Sequence, residues 1–236
     1  MGALAATLVG APSAFASHIR GGSIDASFDA NQHLKGTVGL VVTSSGVCPG
    51  TASNITGYDV TVTGPAGFTT MKQKVTNTRV AGCDLLARTE EGDYDFDLTG
   101  APNGQYTITY TNCCGVSPID NGGSSGGNVS YKALITKNGS TAVSSPVISG
   151  DPLMAVSVYE DYSSALKATD TSGTTLTYLL LQGTTTGQPD YDAGAPTSNL
   201  VALDSTGLIT IPLSTTSTLV SGKYYAYKVR VSNAAG

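Results

Sequence analysis

Apolar residues recur at every second position in a series of short runs. In "GSIDASF" (22–28), Ile24, Ala26 and Phe28 alternate with polar or small neighbours. "GYDVTVTG" (57–64) alternates Tyr58, Val60 and Val62, and "QYTITYT" (105–111) alternates Tyr106, Ile108 and Tyr110 with threonines. "GDYDFDL" (92–98) sets Tyr94, Phe96 and Leu98 against Asp93, Asp95 and Asp97. "GTVGLVVT" (36–43) is more continuously apolar and reads as a more buried strand. A period of two places each set on one face of a strand. Gly, Pro, Asn and Asp clusters separate the runs, and no window carries a helical period. The pattern predicts an all-β chain built as antiparallel sandwiches.

The runs fall into two groups. "SPIDNGGSSGGN" (117–128) reads as a loop, and the strand after it, "VSYKALITKNG", closes the first group. "SSPVISGDPLM" (144–154) holds two prolines in an extended stretch, as linkers do. The expected organisation is a first sandwich domain over 17–146 and a second over 147–236. The second would use "MAVSVYE", "SALKAT", "TLTYLLLQ", "LVAL", "LITIP" and "YYAYKVRVSN" as strands. The chain stops directly after the last of these, which suggests a longer protein.

Residues 1–16 change the reading of the cysteines. They carry no charged side chain, are too short to span a bilayer, and end in Ala14-Phe15-Ala16, a small-x-small cleavage pattern. They are expected to be a signal peptide, making the mature chain secreted or displayed at the cell surface, with no membrane insertion in this segment. In an oxidising compartment Cys48, Cys83, Cys113 and Cys114 are a disulfide set. A bond between adjacent Cys113 and Cys114 would strain the peptide joining them, so longer bridges to Cys48 and Cys83 are favoured. No CxxC pair or nearby histidine supports a cysteine metal site.

Composition fits export. Of the 236 residues only 12% are charged, about half the usual share. Tyr (12) outnumbers Phe (4), which suits strand positions with one wet end. The net charge is −5 and the 12 Lys and Arg are scattered singly, so no basic surface for nucleic acid exists.

Three stretches resemble known proteins. Ser17-His18-Ile19-Arg20-Gly21-Gly22, directly after the cleavage pattern, is similar to the "SHFRGG" or "THIRGG" start of large secreted bacterial and protist surface proteins. "GQYTITYTNCCG" (104–115) resembles a strand of those proteins that ends in a double cysteine. "ALKATDTSGTTLTYLL", "ALDSTGLITIP" and "YYAYKVRVSNAAG" resemble stretches of cadherin-like and immunoglobulin-like repeats. The resemblance implies an extracellular, multi-domain adhesive or structural protein. Calcium-binding repeats of this kind carry several carboxylates after the second strand. Here Asp170 is followed by Thr171, Ser172, Gly173 and Thr174, and the last strand ends Ser232-Asn233. The candidate calcium ligands are Glu160, Asp161 and Asp170, or else Asp93, Asp95 and Asp97, against a need for six to eight oxygens. No cofactor is expected.

Candidate chemistry is thin. The only histidines are His18 and His33, and a catalytic triad needs a buried, oriented imidazole. The run Glu90, Glu91, Asp93, Asp95, Asp97 is the densest charge in the chain; two of these carboxylates are the pair a glycosidase would need. Asp93, Asp95 and Asp97 share one face of a strand and read as a solvated row that guards an edge, or else as a weak cation site. Asn54, Asn128 and Asn138 fit the glycosylation acceptor pattern. The expected role is a non-enzymatic structural or adhesion module whose partners are other surface proteins or glycans. Alternatives are a glycan-binding accessory module of a secreted hydrolase, or a self-assembling coat or filament subunit.

Overall fold

The computed structural model describes residues 19–43, 52, 54–83, 87–112, 129–149, 156–157, 159–171, 173–181, 200–220, 225 and 227–233. Among the described residues the first half holds ten strands: β1 (Ile19–Ile24), β2 (Ser27–Phe28), β3 (His33–Thr43), β4 (Asp59–Thr63), β5 (Met71–Lys74), β6 (Thr76–Cys83), β7 (Ala87–Asp97), β8 (Gly104–Asn112), β9 (Val129–Lys137) and β10 (Val143–Ser144). One sheet has the order β10-β2-β3-β7-β6, with β1 also on β3; the other has the order β5-β4-β8-β9. All their pairings are antiparallel.

The two sheets bury their facing sides in one core. Leu34, Val38, Leu40, Val42, Tyr94 and Phe96 come from one sheet; Val60, Val62, Tyr106, Ile108, Tyr110 and Ile135 come from the other. Phe28 meets Tyr106 edge-on across the gap, with ring centroids 5.7 Å apart. Aromatic pairs prefer this geometry because the positive ring edge meets the negative face. The period-two runs thus become the inward faces of β3, β4, β7 and β8.

Three tyrosines depart from the expectation of a wet end, while Tyr58, Tyr131, Tyr162, Tyr178, Tyr225 and Tyr227 are half-buried as expected. Tyr94, Tyr106 and Tyr110 are fully buried. Their hydroxyls are satisfied by protein instead of water: Tyr94 Oη donates to the Asp25 carbonyl, Tyr106 Oη to the Pro102 carbonyl at 2.6 Å, and Tyr110 Oη to the Ile55 carbonyl at 3.4 Å. A buried hydroxyl without a partner would cost its full desolvation penalty. Gly36 lies opposite Tyr94 in the β3–β7 register, and a side chain there would strike the Asp25 carbonyl and the Tyr94 hydroxyl.

β5 and β6 were not legible as alternating runs. The chain leaves one sheet in β5 and enters the other in β6, with only Val75 between them, buried in the core. β6 is an edge strand, mostly exposed, and its register on β7 shifts twice, between Thr76 and Arg79 and between Val80 and Gly82. The chain then returns to its start: Ser145 N donates to the Ala26 carbonyl at 2.7 Å, and Ala26 N donates to Ser145 Oγ at 2.9 Å.

The second half forms smaller sheets: β11 (Val147–Ile148) with β13 (Ala168–Thr169); β12 (Tyr162–Ala165), β16 (Leu208–Ile211) and β15 (Ala202–Leu203); and β14 (Thr177–Leu181) with β17 (Lys228–Ser232). Among the described residues of this half, Leu181, Ile209 and Ile211 are the buried apolar ones. In "ALDSTGLITIP" the Asp204 carboxylate accepts from Thr206 N, Thr206 Oγ1 and Leu208 N, which holds it below its ordinary range and fixes the turn before β16. Two expectations need correction. In "MAVSVYE" the described residues 156, 157, 159 and 160 are not strand, and Tyr159 is exposed in a left-handed conformation with φ 72°. A one-turn helix, α1 (Leu213–Thr216), follows Pro212, and Asp161 Oδ1 accepts from Leu213 N at 2.6 Å. No helix among the described residues is long and apolar enough to cross a membrane.

Candidate functional site

Glu90 accepts hydrogen bonds from four donors. It is fully buried. Residues 90, 92, 94 and 96 of β7 all point inward, so Glu90 has the phase of Tyr94 and Phe96. Strand parity, not charge, sets its burial. Cost is avoided by complete pairing. Glu90 Oε1 accepts from Asn54 Nδ2 at 3.0 Å and from Arg88 Nη2, while Oε2 accepts from the backbone N–H of Asn54 at 2.8 Å and of Ile55 at 3.2 Å. Asn112, also buried, donates through Nδ2 to the Asn54 carbonyl and to Tyr110 Oη at 2.8 Å. The loop before β4 is therefore tied to β7 of one sheet and β8 of the other. With four donors on its two oxygens, Glu90 has little capacity left for a substrate. This arrangement holds structure.

The outer face of the same sheet carries a lattice of opposite charges. Asp95 and Asp97 are exposed and Asp93 is half-buried, all on the side opposite Tyr94 and Phe96. His33 Nδ1 lies 2.7 Å from Asp95 Oδ1, Lys35 Nζ 2.8 Å from Asp29 Oδ2, and Arg79 bridges Glu91 at 2.8 Å and Asp93 at 2.9 Å. Asp97 Oδ1 caps the next turn by accepting from Thr99 N. The hydrogen bond to Asp95 raises the His33 pKa, and the Lys35 bond lowers that of Asp29. Bonding to Thr99 lowers Asp97, and bonding to Asp93 raises Arg79. Solvent screens exposed pairs of this kind, so each contributes little to stability.

Asp25, at the break between β1 and β2, is the exception. Burial raises its pKa, a hydrogen bond from Thr37 N (3.0 Å) opposes the rise, and nearby Asp93 and Glu91 add to it.

The remaining sites separate. Asp170 accepts from Thr174 N, Thr174 Oγ1 and Asn233 Nδ2, whereas Asp161 is bonded to Leu213 and Glu160 is exposed. Among the described residues no three His, Cys, Asp or Glu side chains gather as metal ligands, so neither Glu160, Asp161 and Asp170 nor Asp93, Asp95 and Asp97 form a cluster. Asn233 also donates to the Ser144 carbonyl at 3.1 Å, and Ser144 Oγ meets Thr171 Oγ1 at 2.5 Å. Hydrogen bonds join these segments.

Asn54 is half-buried with its amide nitrogen on Glu90, a poor acceptor for a glycan; Asn138 is exposed. Cys83 is exposed at the end of β6 and disulfide-bonded. Cys48, Cys113, Cys114, Asn128 and residues 1–16 lie outside the described residues. The strands that precede those cysteines are placed, however. Thr43, at the end of β3, pairs with Ala87, Cys83 pairs with Arg88, and Asn112, at the end of β8, reaches Asn54 beside Glu90. β3, β6 and β8 thus all run toward the end of the two-sheet body that holds the Glu90 cluster.

No family model, curated protein or solved structure matches this chain. Glu90, Arg88, Asn54 and Asn112 were not singled out as a unit from sequence. The inward parity of Glu90 in "TEEGDYDF" is the signal that would have found it.

Proposed function

We propose that this chain is an extracellular structural or adhesion module, with an immunoglobulin-like first domain (17–146) that presents a surface and a second β-domain (147–236) that spaces it. The observation that carries this reading is strand order. β2-β3-β7-β6 facing β5-β4-β8-β9 runs in the same order as A-B-E-D and C′-C-F-G in immunoglobulin-like sandwiches, with β2 in the place of strand A, which supports this reading of the fold. Tyr106, at the start of the strand corresponding to F, bonds the backbone four residues upstream, as in the tyrosine corner of such domains. The disulfide at Cys83 fits an oxidising compartment. The proposed partners are other surface proteins or glycans. The reading of 147–236 as a cadherin-like or immunoglobulin-like repeat, and of 1–16 as a signal peptide, rests on the sequence resemblance.

Edge design favours a monomeric module over a filament subunit. The two register shifts in β6 disturb the ladder that a second chain would need for lateral addition. A glycan-binding face calls for a row of exposed aromatics; among the described residues Tyr159 is the one strongly exposed large aromatic. The test couples residues 17–236 to beads and measures retention on protein-coated and glycan-coated surfaces. Retention on protein surfaces by a monomeric chain supports the proposal. Retention confined to glycans transfers it to the accessory-module reading, and hydrolase activity overturns it.

A further inference from the structure

Two Asn-Gly dipeptides sit side by side at one end of the β8–β9 pair. Gly104 is the register partner of Lys137, so Asn103-Gly104 lies next to Asn138-Gly139. Asn138 and Gly139 are exposed, and Gly139 takes a φ of +59° in a turn closed by Thr141 N donating to the Asn138 carbonyl at 3.1 Å. Glycine after asparagine leaves the backbone nitrogen unshielded by any side chain. That nitrogen, however, donates to Asn103 Oδ1 at 2.8 Å.

We propose that Asn138 is a self-modifying residue, converting to aspartate and isoaspartate through a succinimide at a rate governed by Asn103. The Gly139 nitrogen loses its proton to solvent base and attacks Asn138 Cγ. A Cγ–N bond forms, the Cγ–Nδ2 bond breaks, and ammonia leaves. Water then opens the ring at either carbonyl. The reaction needs only water and base. While Gly139 N–H is held by Asn103, the proton that must leave is engaged, so conversion proceeds from the unlatched turn. Each conversion adds a negative charge beside Lys137 and removes the amide of the Asn138-Gly-Ser glycan acceptor.

The test incubates the full chain in mildly alkaline buffer and follows Asn138 by peptide mass mapping with isoaspartate detection. Native chain converts, but more slowly than chain unfolded in urea. Asn103→Ala converts about fivefold faster than wild type, the population change from losing one hydrogen bond of ordinary net strength. Asn103→Asp, which keeps the Oδ1 acceptor, stays at the wild-type rate. The proposal is overturned if native Asn138 stays intact while the unfolded chain converts. It is equally overturned if Asn103→Ala matches wild type, or if both variants accelerate alike, which would mark general loosening of the strand pair.

Discussion

Glu90 holds Asn54 twice, by the backbone N–H at 2.8 Å and by the side-chain amide at 3.0 Å, although the two residues sit on different segments 36 positions apart. Burying a charge in this way is stable only while every partner remains. Glu90→Ala leaves Arg88, whose side chain is 15% exposed, without its carboxylate. The expected loss is about 3 kcal/mol or more in urea unfolding. Glu91→Gln on the outer face of the same strand is the control and changes stability by less than about 1 kcal/mol. Equal losses at both positions would refute the distinction between the two faces of β7.

Asp25 works in the opposite sense. Its pKa is raised from 3.8, chiefly by burial. A raised folded value means that its stabilising contribution is fully present below the unfolded pKa and is lost as pH climbs through the folded one. At neutral pH the ionised carboxylate therefore opposes folding. Asp25→Asn keeps an oxygen for Thr37 N and removes the charge, so the variant is more stable than wild type at pH 7. The gap closes as pH drops below the ordinary carboxylate range of about 3.9. Thermal melts of both chains across acidic and neutral pH provide the measurement.

His33 also has a raised pKa, here through its hydrogen bond to Asp95. The protonated pair contributes below the ordinary value of 6.5, and that contribution fades as pH rises through the higher folded value. Asp95→Asn returns the imidazole toward its ordinary titration, which NMR of the ring protons reads directly. Added salt reduces the wild-type shift, because exposed charges are screened. An unshifted imidazole in wild type would mean that the pair does not persist in solution.

Gly36 makes room for Tyr94. A Cβ at position 36 meets the Asp25 carbonyl, which is backbone and cannot swing aside. Gly36→Ala is expected to destabilise by about 1–3 kcal/mol, the usual effect of overpacking. Combined with Tyr94→Phe, which deletes the second obstructing atom, the loss is smaller than the sum of the two single changes. Coupling of this kind marks residues in contact.

The core of the first half was legible in the sequence because β4, β7 and β8 each present one face to the interior, and alternation survives that geometry. β5 and β6 were not, for the same reason reversed. "MKQK" and "TNTRVAGC" run along sheet edges, and β6 in particular is wet on most sides, so nothing forces a period of two. The outer carboxylates Asp95 and Asp97 followed their phase. Glu90 shares the inward parity of Tyr94 and Phe96, and its burial follows from that phase. Partners of each charge were out of reach of sequence. Lys35 and Arg79 come to the aspartates from strands separated along the chain, and only the register of β3 and β6 on β7 brings them there. The tyrosine hydroxyls likewise close on backbone carbonyls, which carry no sequence signature.

The mutual bonds between Ala26 and Ser145 separate variation from spacing. The chain leaves this point, builds most of the two sheets, and comes back to the same place 119 residues later. Insertions or deletions in the intervening loops change what the body displays without moving the position from which residue 146 departs. Exposed turns between the two residues can vary in length while residue 146 keeps its place beside the first strands.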